Sequence, residues 1–419
     1  MLKQMEGSRA VAEAVALCRS EVICAYPISP QTHIVEALSD MVRTGELAPC
    51  EYLLVESEFA AMSAAIGASA AGARAYTATA SQGLLYMAEA LYNASGLGLP
   101  IVMTLANRAI GAPINIWNDH SDSMSQRDSG WIQLYAESNQ VAVDLHIQAF
   151  KLAEALSLPV MVCMDGFVLT HAVEPLEIPS QEQIDAFLPA YEPRQVLDPD
   201  DPVTIGAMVG PEAFTEVRYL AHAKQMQALD LVPELAAEFA TSFGRPSGGL
   251  LRRYRTEGAK TILVALGSVL GTIEDVVDEL RDEGERIGAL GITCFRPFPI
   301  DEVRDALAGA DRVVVVERAF AVGIGGIVGQ NVRLALSGLP PVVYDVVAGL
   351  GGRAITRRSL RGLIEDVDEG SIEPNRLHFL DLDWKLVERE LQRLQETRRS
   401  GPHAENILRD VGVVAGRSH

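Results

Sequence analysis

The sequence lacks the closely spaced cysteines that metal and iron–sulfur sites use. Its 419 residues include five cysteines, and no two of them form a CxxC pair. Zinc and iron–sulfur sites usually show such spacing, so we expect no metal ligands in this chain. An odd number of scattered cysteines also fits a reducing cytoplasm better than a disulfide framework.

Long apolar runs and an excess of positive charge are missing as well. No run of about 18 uncharged apolar residues occurs, and the opening MLKQMEGSRAVAEAV lacks the pattern of a signal peptide. We therefore expect a cytoplasmic protein with no membrane partner. Acidic residues outnumber basic residues by 56 to 35, giving a net charge of -21. This balance argues against a nucleic-acid partner, which requires clustered Lys and Arg.

The stretch from residue 51 to 130 alternates short β-rich runs with helices of small residues. We predict strands over 52–55, 75–80 and 100–105, and helices over 59–71 and 84–97. Such alternation indicates a parallel sheet covered on both faces, whose binding sites lie beyond the carboxyl ends of the strands. The polar residues and the glycine that follow these ends are Glu56, Glu58, Ser81, Gln82, Gly83, Asn107 and Arg108.

The rest of the chain indicates a second unit of the same α/β class. Before the central stretch we predict a helix over 7–18 and a strand over 22–25. After it we predict a helix over 133–155, broken briefly near Asn139, and a strand over 159–163. Residues 181–249 differ in character: a Pro- and Asp-rich run over 192–212 predicts an extended arm, and we predict a helical region over 213–243. Strands over 261–268, 287–295, 312–318 and 341–347 follow, then a helix over 383–398 and a polar tail. The predicted units are residues 1–245, 246–372 and 373–419.

Three residues each allow more than one interpretation. Ser29, between two prolines, either caps the helix that starts near Gln31 or faces a ligand anion together with nearby backbone N–H groups. Arg108 stands alone among apolar residues, where it forms either a structural ion pair with Asp119 or Asp122 or a pair with a substrate carboxylate. For His120, no second histidine lies at metal-ligand spacing, so hydrogen bonding within its loop is favoured.

The run GIGGIVG resembles a dinucleotide-binding fingerprint but departs from it. It follows a strand and opens a helix, yet Val328 occupies the position where the fingerprint requires a third small residue. We therefore favour a close backbone approach here over a nucleotide site.

Several blocks, in order, resemble the α subunit of the 2-oxoacid:ferredoxin oxidoreductases. They are AYPISP, VESEFAAMSAAIGASAAGARAYTATASQG, NRAIGAP with NDHSD, and MDGF, followed by the LDPDDPVT arm, the GRPSGGLLRRYRTE linker and GLGGR. The resemblance runs from about residue 7 to residue 372 and is strongest to the multi-subunit pyruvate enzymes. It implies a thiamine-diphosphate-binding domain of the pyrimidine type over 1–245 and a transketolase C-terminal-like domain over 246–372.

The resemblance also implies roles for particular residues. Glu58 is expected to meet N1′ of the aminopyrimidine ring, where a carboxylate promotes loss of the C2 proton, with Glu56 as the rival. Ser81 and Gln82 are expected to contact the cofactor, and Arg108 the carboxylate of the 2-oxoacid. Ser29, where the pyruvate enzymes usually have threonine, is expected to contact the substrate.

The implied activity is oxidative decarboxylation of a 2-oxoacid, most simply pyruvate, to acyl-CoA and CO2, with electrons passed to ferredoxin. The chain shows no GDG…N pattern, so Mg2+ and the diphosphate would belong to a β subunit that shares the thiamine diphosphate. The [4Fe-4S] clusters would belong to the β and ferredoxin-like δ subunits, and coenzyme A largely to γ. The alternatives are another 2-oxoacid such as 2-oxoisovalerate, a transketolase-like transferase subunit, or a non-catalytic assembly subunit.

Overall fold

The computed structural model describes residues 2–374, 376–396 and 403–412. Up to residue 187 the strands are β1 (Leu2–Glu6), β2 (Val22–Ala25), β3 (Glu51–Leu54), β4 (Ala75–Thr79), β5 (Val102–Asn107), β6 (Ile132–Tyr135), β7 (Val160–Asp165) and β8 (Val173–Glu177). The helices are α1 (Gly7–Leu17), α2 (Thr32–Thr44), α3 (Glu58–Ala70), α4 (Ser81–Tyr86), α5 (Ala88–Leu97), α6 (Ser121–Ser125), α7 (Asn139–Leu156) and α8 (Gln181–Phe187).

The remaining elements begin with two helices, α9 (Phe214–Met226) and α10 (Ala228–Phe243). The strands that follow are β9 (Leu251–Tyr254), β10 (Thr261–Ala265), β11 (Ile287–Ile292), β12 (Cys294–Arg296), β13 (Arg312–Glu317), β14 (Val342–Val347) and β15 (Leu377–Phe379). The helices are α11 (Val269–Asp282), α12 (Ile300–Leu307), α13 (Ile327–Ala335), α14 (Arg357–Asp368), α15 (Trp384–Glu396) and α16 (His403–Asp410). Among the described residues, no helix combines the length and the hydropathy needed to cross a membrane.

Two sheets organise the chain and confirm the predicted α/β class. The first has seven strands in the order β12-β6-β7-β5-β4-β2-β3, parallel except for β12. The second has six strands in the order β15-β14-β13-β10-β11-β9, parallel except for β9. Strands β4, β5 and β7 are buried along their whole length, as expected for parallel strands with helices on both faces. One core cluster contains residues of both sheets, including Met103 of β5 and Leu290 of β11.

The predicted strand over 287–295 is wrong as a single element. The backbone N–H groups of Thr293 and Cys294 both donate to the carbonyl of Leu250, and the carbonyl of Thr293 accepts from the N–H of Tyr135. These bonds turn the chain, so β11 pairs in the second sheet and β12 pairs with β6 in the first. A strand from the second predicted unit thus completes the sheet of the first, and the boundaries at 245 and 372 stay predictions.

Helix bounds also differ from the predictions at several points. The predicted helix over 133–155 is wrong before its break near Asn139, because Gln133 lies in β6. After the break it is confirmed, since α7 begins at Asn139. There Ser138 caps α7 by accepting a hydrogen bond from the N–H of Val141. The helical region over 213–243 is two helices that meet at Gln227. The predicted polar tail contains α16, and residues 397 and 398 of the predicted last helix lie outside the described residues.

The GIGGIVG run lies at the start of α13, and an internal carboxylate already occupies that helix N-terminus. Glu317 accepts hydrogen bonds from the backbone N–H groups of Ile327, Val328 and Gly329 at 2.7, 2.8 and 3.1 Å. Burial raises the pKa of Glu317 to about 7, although the three N–H groups act in the opposite direction. The donors that would bind a nucleotide phosphate are therefore used within the chain, which supports the interpretation as a close backbone approach.

A buried cluster of charges joins the two sheets beyond the end of β7. The carboxylate of Asp165 lies 2.7 Å from Nε2 of His120, accepts from Nη1 of Arg318 at 3.0 Å, and accepts from the backbone N–H of Ser268 at 2.9 Å. Burial alone would raise the pKa of Asp165, but His120 and Arg318 outweigh it and hold the pKa well below its ordinary value. The prediction that His120 forms hydrogen bonds within its own loop is wrong for the ring, which pairs with Asp165 at the end of β7.

We predict that Asp165→Asn destabilises the folded chain by about 3–5 kcal/mol, because a buried ion pair broken on one side leaves an uncompensated charge on Arg318. The matched control is Asp311→Asn, which breaks the exposed pair with Lys260 and should change little. Urea unfolding followed by circular dichroism measures both. Equal midpoints for the two variants would contradict the assignment of the cluster as an anchor.

Candidate active site

Glu58 opens α3 at the carboxyl edge of the first sheet. The helix is capped by Ser57, whose hydroxyl accepts from the N–H of Ala60 at 3.2 Å, so the Glu58 side chain is not needed as a cap. Glu58 is buried, with 7% of its surface exposed, whereas the rival Glu56 is exposed. The two carboxylates, which sequence spacing does not separate, therefore have different environments.

Gly83 packs directly against the Glu58 carboxylate. A Cβ at this position would lie 2.5 Å from Oγ1 of Thr79 and 2.7 Å from Oε1 of Glu58, so only glycine leaves the carboxylate in place. Among the described residues the buried Thr79 hydroxyl has no hydrogen-bond partner, and no side chain or backbone N–H donates to the neighbouring Glu58 carboxylate. A buried acceptor without a donor is costly. This cradle therefore fits a ligand that brings polar partners of its own for the Thr79 hydroxyl and the Glu58 carboxylate.

Arg108 follows β5 and is 6% exposed. Its Nη1 donates to the carbonyl of Ser29 at 2.9 Å and its Nε to the carbonyl of Asn115 at 3.1 Å. It forms no ion pair with any carboxylate of the described residues, so the expected ion pair with Asp119 or Asp122 is wrong. Burial lowers the pKa of Arg108, and Asp122 acts in the opposite direction. Because its side-chain partners are neutral carbonyls, the buried guanidinium keeps an unpaired positive charge. That charge can pair with an anionic ligand.

Ser29 lies beside Arg108 but does not cap a helix. The N-cap of α2 is Gln31, without any side-chain cap hydrogen bond, so the capping interpretation of Ser29 is wrong. The residue is exposed, and its hydroxyl has no hydrogen-bond partner in the described part of the chain. Its carbonyl orients the Arg108 guanidinium, and the hydroxyl stays free for a ligand.

Ser81 and Gln82 open α4 next to Glu58. The Ser81 hydroxyl lies 2.5 Å from the carbonyl of Ala109 and 2.5 Å from Oε1 of Gln82, so it is engaged within the chain. The Gln82 amide nitrogen lies 2.6 Å from the position of a Cβ on Gly111. The Ser81 hydroxyl therefore ties α4 to the loop after Arg108, and the Gln82 amide packs beside Gly111 in that loop. Contacts of Ser81 and Gln82 with a cofactor stay predictions.

Asp122 connects these segments, a role that the sequence did not indicate. Its carboxylate accepts from the backbone N–H groups of Ser81, Arg108 and Ser123 and from the Asn107 amide. Burial raises the pKa of Asp122 to about 6, against the opposing effect of these hydrogen bonds. The only sequence signal is an acidic residue in the first turn of a short helix, which is too common to single out.

The fold and this site define a subunit of the thiamine-diphosphate-binding α/β class. A carboxylate opens a small-residue helix at the carboxyl edge of a parallel sheet, and a buried arginine follows a neighbouring strand. Residues 13–236 match the family model described as pyruvate flavodoxin/ferredoxin oxidoreductase, thiamine diphosphate-binding. Residues 259–360 match the pyruvate:ferredoxin oxidoreductase core domain II. The chain belongs to this family and is a subunit of a 2-oxoacid:ferredoxin oxidoreductase.

Curated relatives agree with the family models. The chain is 47% identical to pyruvate synthase subunit PorA of Methanosarcina barkeri, covering 91% of this chain and 97% of the relative. It is 44% identical to PorA of Pyrococcus furiosus, with 92% and 99% covered. It is 38% identical to ketoisovalerate oxidoreductase subunit VorA of Pyrococcus horikoshii, with 92% and 98% covered.

A solved structure shares the fold. The 2-oxoglutarate:ferredoxin oxidoreductase from Magnetococcus marinus, with 2-oxoglutarate, coenzyme A and succinyl-CoA bound, superimposes with a TM-score of 0.68 at 20% identity. The match covers 87% of this chain and 65% of that chain, so this chain spans about two thirds of the length of that neighbour.

We predict that Gly83→Ala weakens thiamine diphosphate binding in the assembled complex, because the added methyl group displaces the Glu58 carboxylate from its cradle. The control is Gly96→Ala in α5, where a Cβ meets no atom within 4 Å. The dissociation constant of the cofactor, from fluorescence titration, should rise at least about tenfold for the first variant, the equivalent of one lost hydrogen bond to a charged group, and stay unchanged for the second. An unchanged constant for Gly83→Ala would contradict the cradle.

Proposed function

We propose that this chain is the α subunit of a pyruvate synthase. The complex would convert pyruvate, coenzyme A and oxidised ferredoxin into acetyl-CoA, CO2 and reduced ferredoxin. The observation that carries the proposal is the buried Arg108 guanidinium, which in the described chain meets carbonyls and no carboxylate. The relatives named pyruvate synthase subunit, at 44–48% identity, support pyruvate over the substrate of the 37–38% identical ketoisovalerate relatives.

The residues of this chain have separate tasks in this reaction. Thiamine diphosphate, when bound, supplies the carbanion chemistry. Glu58 hydrogen-bonds the N1′ position and exchanges a proton there, and its burial excludes water that would compete for that bond. Arg108 binds the 2-oxoacid carboxylate. Gln82 and the backbone at Ser81 border the cofactor, and the free hydroxyl of Ser29 donates to the substrate.

Partner subunits complete the site. We assign Mg2+, the cofactor diphosphate and the [4Fe-4S] clusters to β and ferredoxin-like δ subunits, and most coenzyme A contacts to γ. The sequence contains no GDG…N pattern for the diphosphate, and we assign the side chains at this edge of the sheet to the pyrimidine end of the cofactor. A cytoplasmic location and ferredoxin as electron acceptor are part of the same proposal.

The residue at position 29 affects the size of the proposed substrate pocket. Serine at position 29 retains the hydroxyl donor but lacks the methyl group of threonine, which leaves slightly more room beside Arg108. This difference favours 2-oxoisovalerate as the second candidate substrate. It also argues against a dicarboxylate, since a second carboxylate would require another cation rather than a neutral hydroxyl.

We predict that Arg108→Ala raises the KM for pyruvate about a hundredfold, the equivalent of one charge-assisted pair lost at a buried site, and leaves the KM for coenzyme A within about twofold. The reconstituted complex with a viologen acceptor provides both constants. Arg127→Ala is the control, since Arg127 is partly exposed and bonds the Met124 carbonyl. Equal increases for both substrates would indicate a structural role for Arg108, and faster turnover of 2-oxoisovalerate would favour the second candidate.

A further inference from the structure

One carboxylate oxygen joins the ends of two neighbouring strands. β4 and β5 are parallel neighbours in the first sheet, so the segments that follow them leave the same edge. Ser81 follows β4 and Arg108 follows β5. Their backbone N–H groups both donate to Oδ2 of Asp122, at 3.0 and 2.9 Å. A single atom thus sets the spacing between the two segments.

The other oxygen of Asp122 is held just as firmly. Its Oδ1 accepts from Nδ2 of Asn107 at 2.8 Å and from its neighbour Ser123 N–H at 2.7 Å. Asp122 is completely buried. An ionised carboxylate is purely an acceptor with about four lone-pair sites, and here four N–H groups use them. An asparagine amide cannot replace this carboxylate, because the NH2 group of the amide would face N–H donors.

The segment on the β4 side depends on this contact for its conformation. Ser81 has φ of +49°, a left-handed conformation that is uncommon for a residue other than glycine. Two residues later, Gly83 packs against the Glu58 carboxylate. A shift of Ser81 therefore moves the wall of the cradle around Glu58, and a shift of the Arg108 backbone moves the guanidinium.

We propose that Asp122 is a positioning residue that fixes the distance between the segment beside Glu58 and the guanidinium of Arg108. It thereby sets the distance between the cofactor ring and the 2-oxoacid carboxylate. This inference rests on the roles of Glu58 and Arg108 in the proposed function. Asp122 itself contacts neither ligand, because all its acceptor sites are used within the chain.

The test compares Asp122→Asn with Ser123→Ala in the reconstituted complex. Ser123→Ala removes the bonds that its hydroxyl accepts from Asn107 and Tyr135 and the bond that it donates to the carbonyl of His120. It keeps both bonds to Oδ2 of Asp122. We expect Asp122→Asn to raise both the KM for pyruvate and the dissociation constant for thiamine diphosphate about tenfold or more, with the KM for coenzyme A within about twofold. Ser123→Ala should leave all three near wild type.

Two results would overturn the inference. In the first, Asp122→Asn has the wild-type pyruvate KM and the wild-type cofactor dissociation constant. In the second, all three constants rise equally, as they would if Asp122 had only a structural role. If Asp122→Asn does not assemble, the replacement variant is Asn107→Ala, which removes one donor to the Asp122 carboxylate. It should raise the pyruvate KM several-fold and leave the coenzyme A KM unchanged. An unchanged pyruvate KM in Asn107→Ala would also overturn the inference.

The same assay separates this inference from the proposed function. If Arg108→Ala raises the pyruvate KM and Asp122→Asn does not, the positioning role fails and the proposed function stands. If neither variant changes the pyruvate KM, both fail together.

Discussion

The chain buries a carboxylate and a guanidinium without letting them neutralise each other. Glu58 is 7% exposed and Arg108 is 6% exposed, and within the described residues Glu58 has no hydrogen-bond partner and Arg108 bonds only to carbonyls. Each group loses hydration free energy on burial and regains little of it inside the protein. Such an arrangement is stable in a working site when ligands supply the missing partners; in the proposed function these are a ring nitrogen for Glu58 and a carboxylate for Arg108.

The surrounding structure keeps the two groups apart and in place. Gly83 leaves the room that the Glu58 carboxylate needs. Asp122 ties together the segments that carry the site at the carboxyl edge of the sheet. Farther out, Asp165 holds His120, and with it the loop after Arg108, against the second sheet. The second unit thus supports the geometry of a site built mainly by the first, so damage at this contact is expected to reach the chemistry indirectly.

Sequence patterns predicted the elements that depend on local alternation, and missed those that depend on distant partners. The strands after Glu51 and the small-residue helix at Glu58 follow directly from the periodicity. The turn at Thr293 depends on the carbonyl of Leu250, far away in the chain, and no periodicity encodes it. Neighbours in sequence suggested an ion pair for Arg108, whereas Asp122 accepts from the Arg108 backbone instead. A side chain's type is visible in a sequence, but the direction in which it points depends on the tertiary structure.

The most direct measurement is hydrogen–deuterium exchange at C2 of thiamine diphosphate bound to the assembled complex, compared between wild type, Glu58→Gln and Glu56→Gln. Glutamine keeps the volume of glutamate and can still hydrogen-bond the ring, but it cannot exchange a proton with it. If the buried Glu58 carboxylate activates the cofactor, exchange in Glu58→Gln slows by at least about a hundredfold, the usual contribution of a general acid–base group, while Glu56→Gln exchanges like wild type. Wild-type exchange in Glu58→Gln would contradict the central role given to this carboxylate.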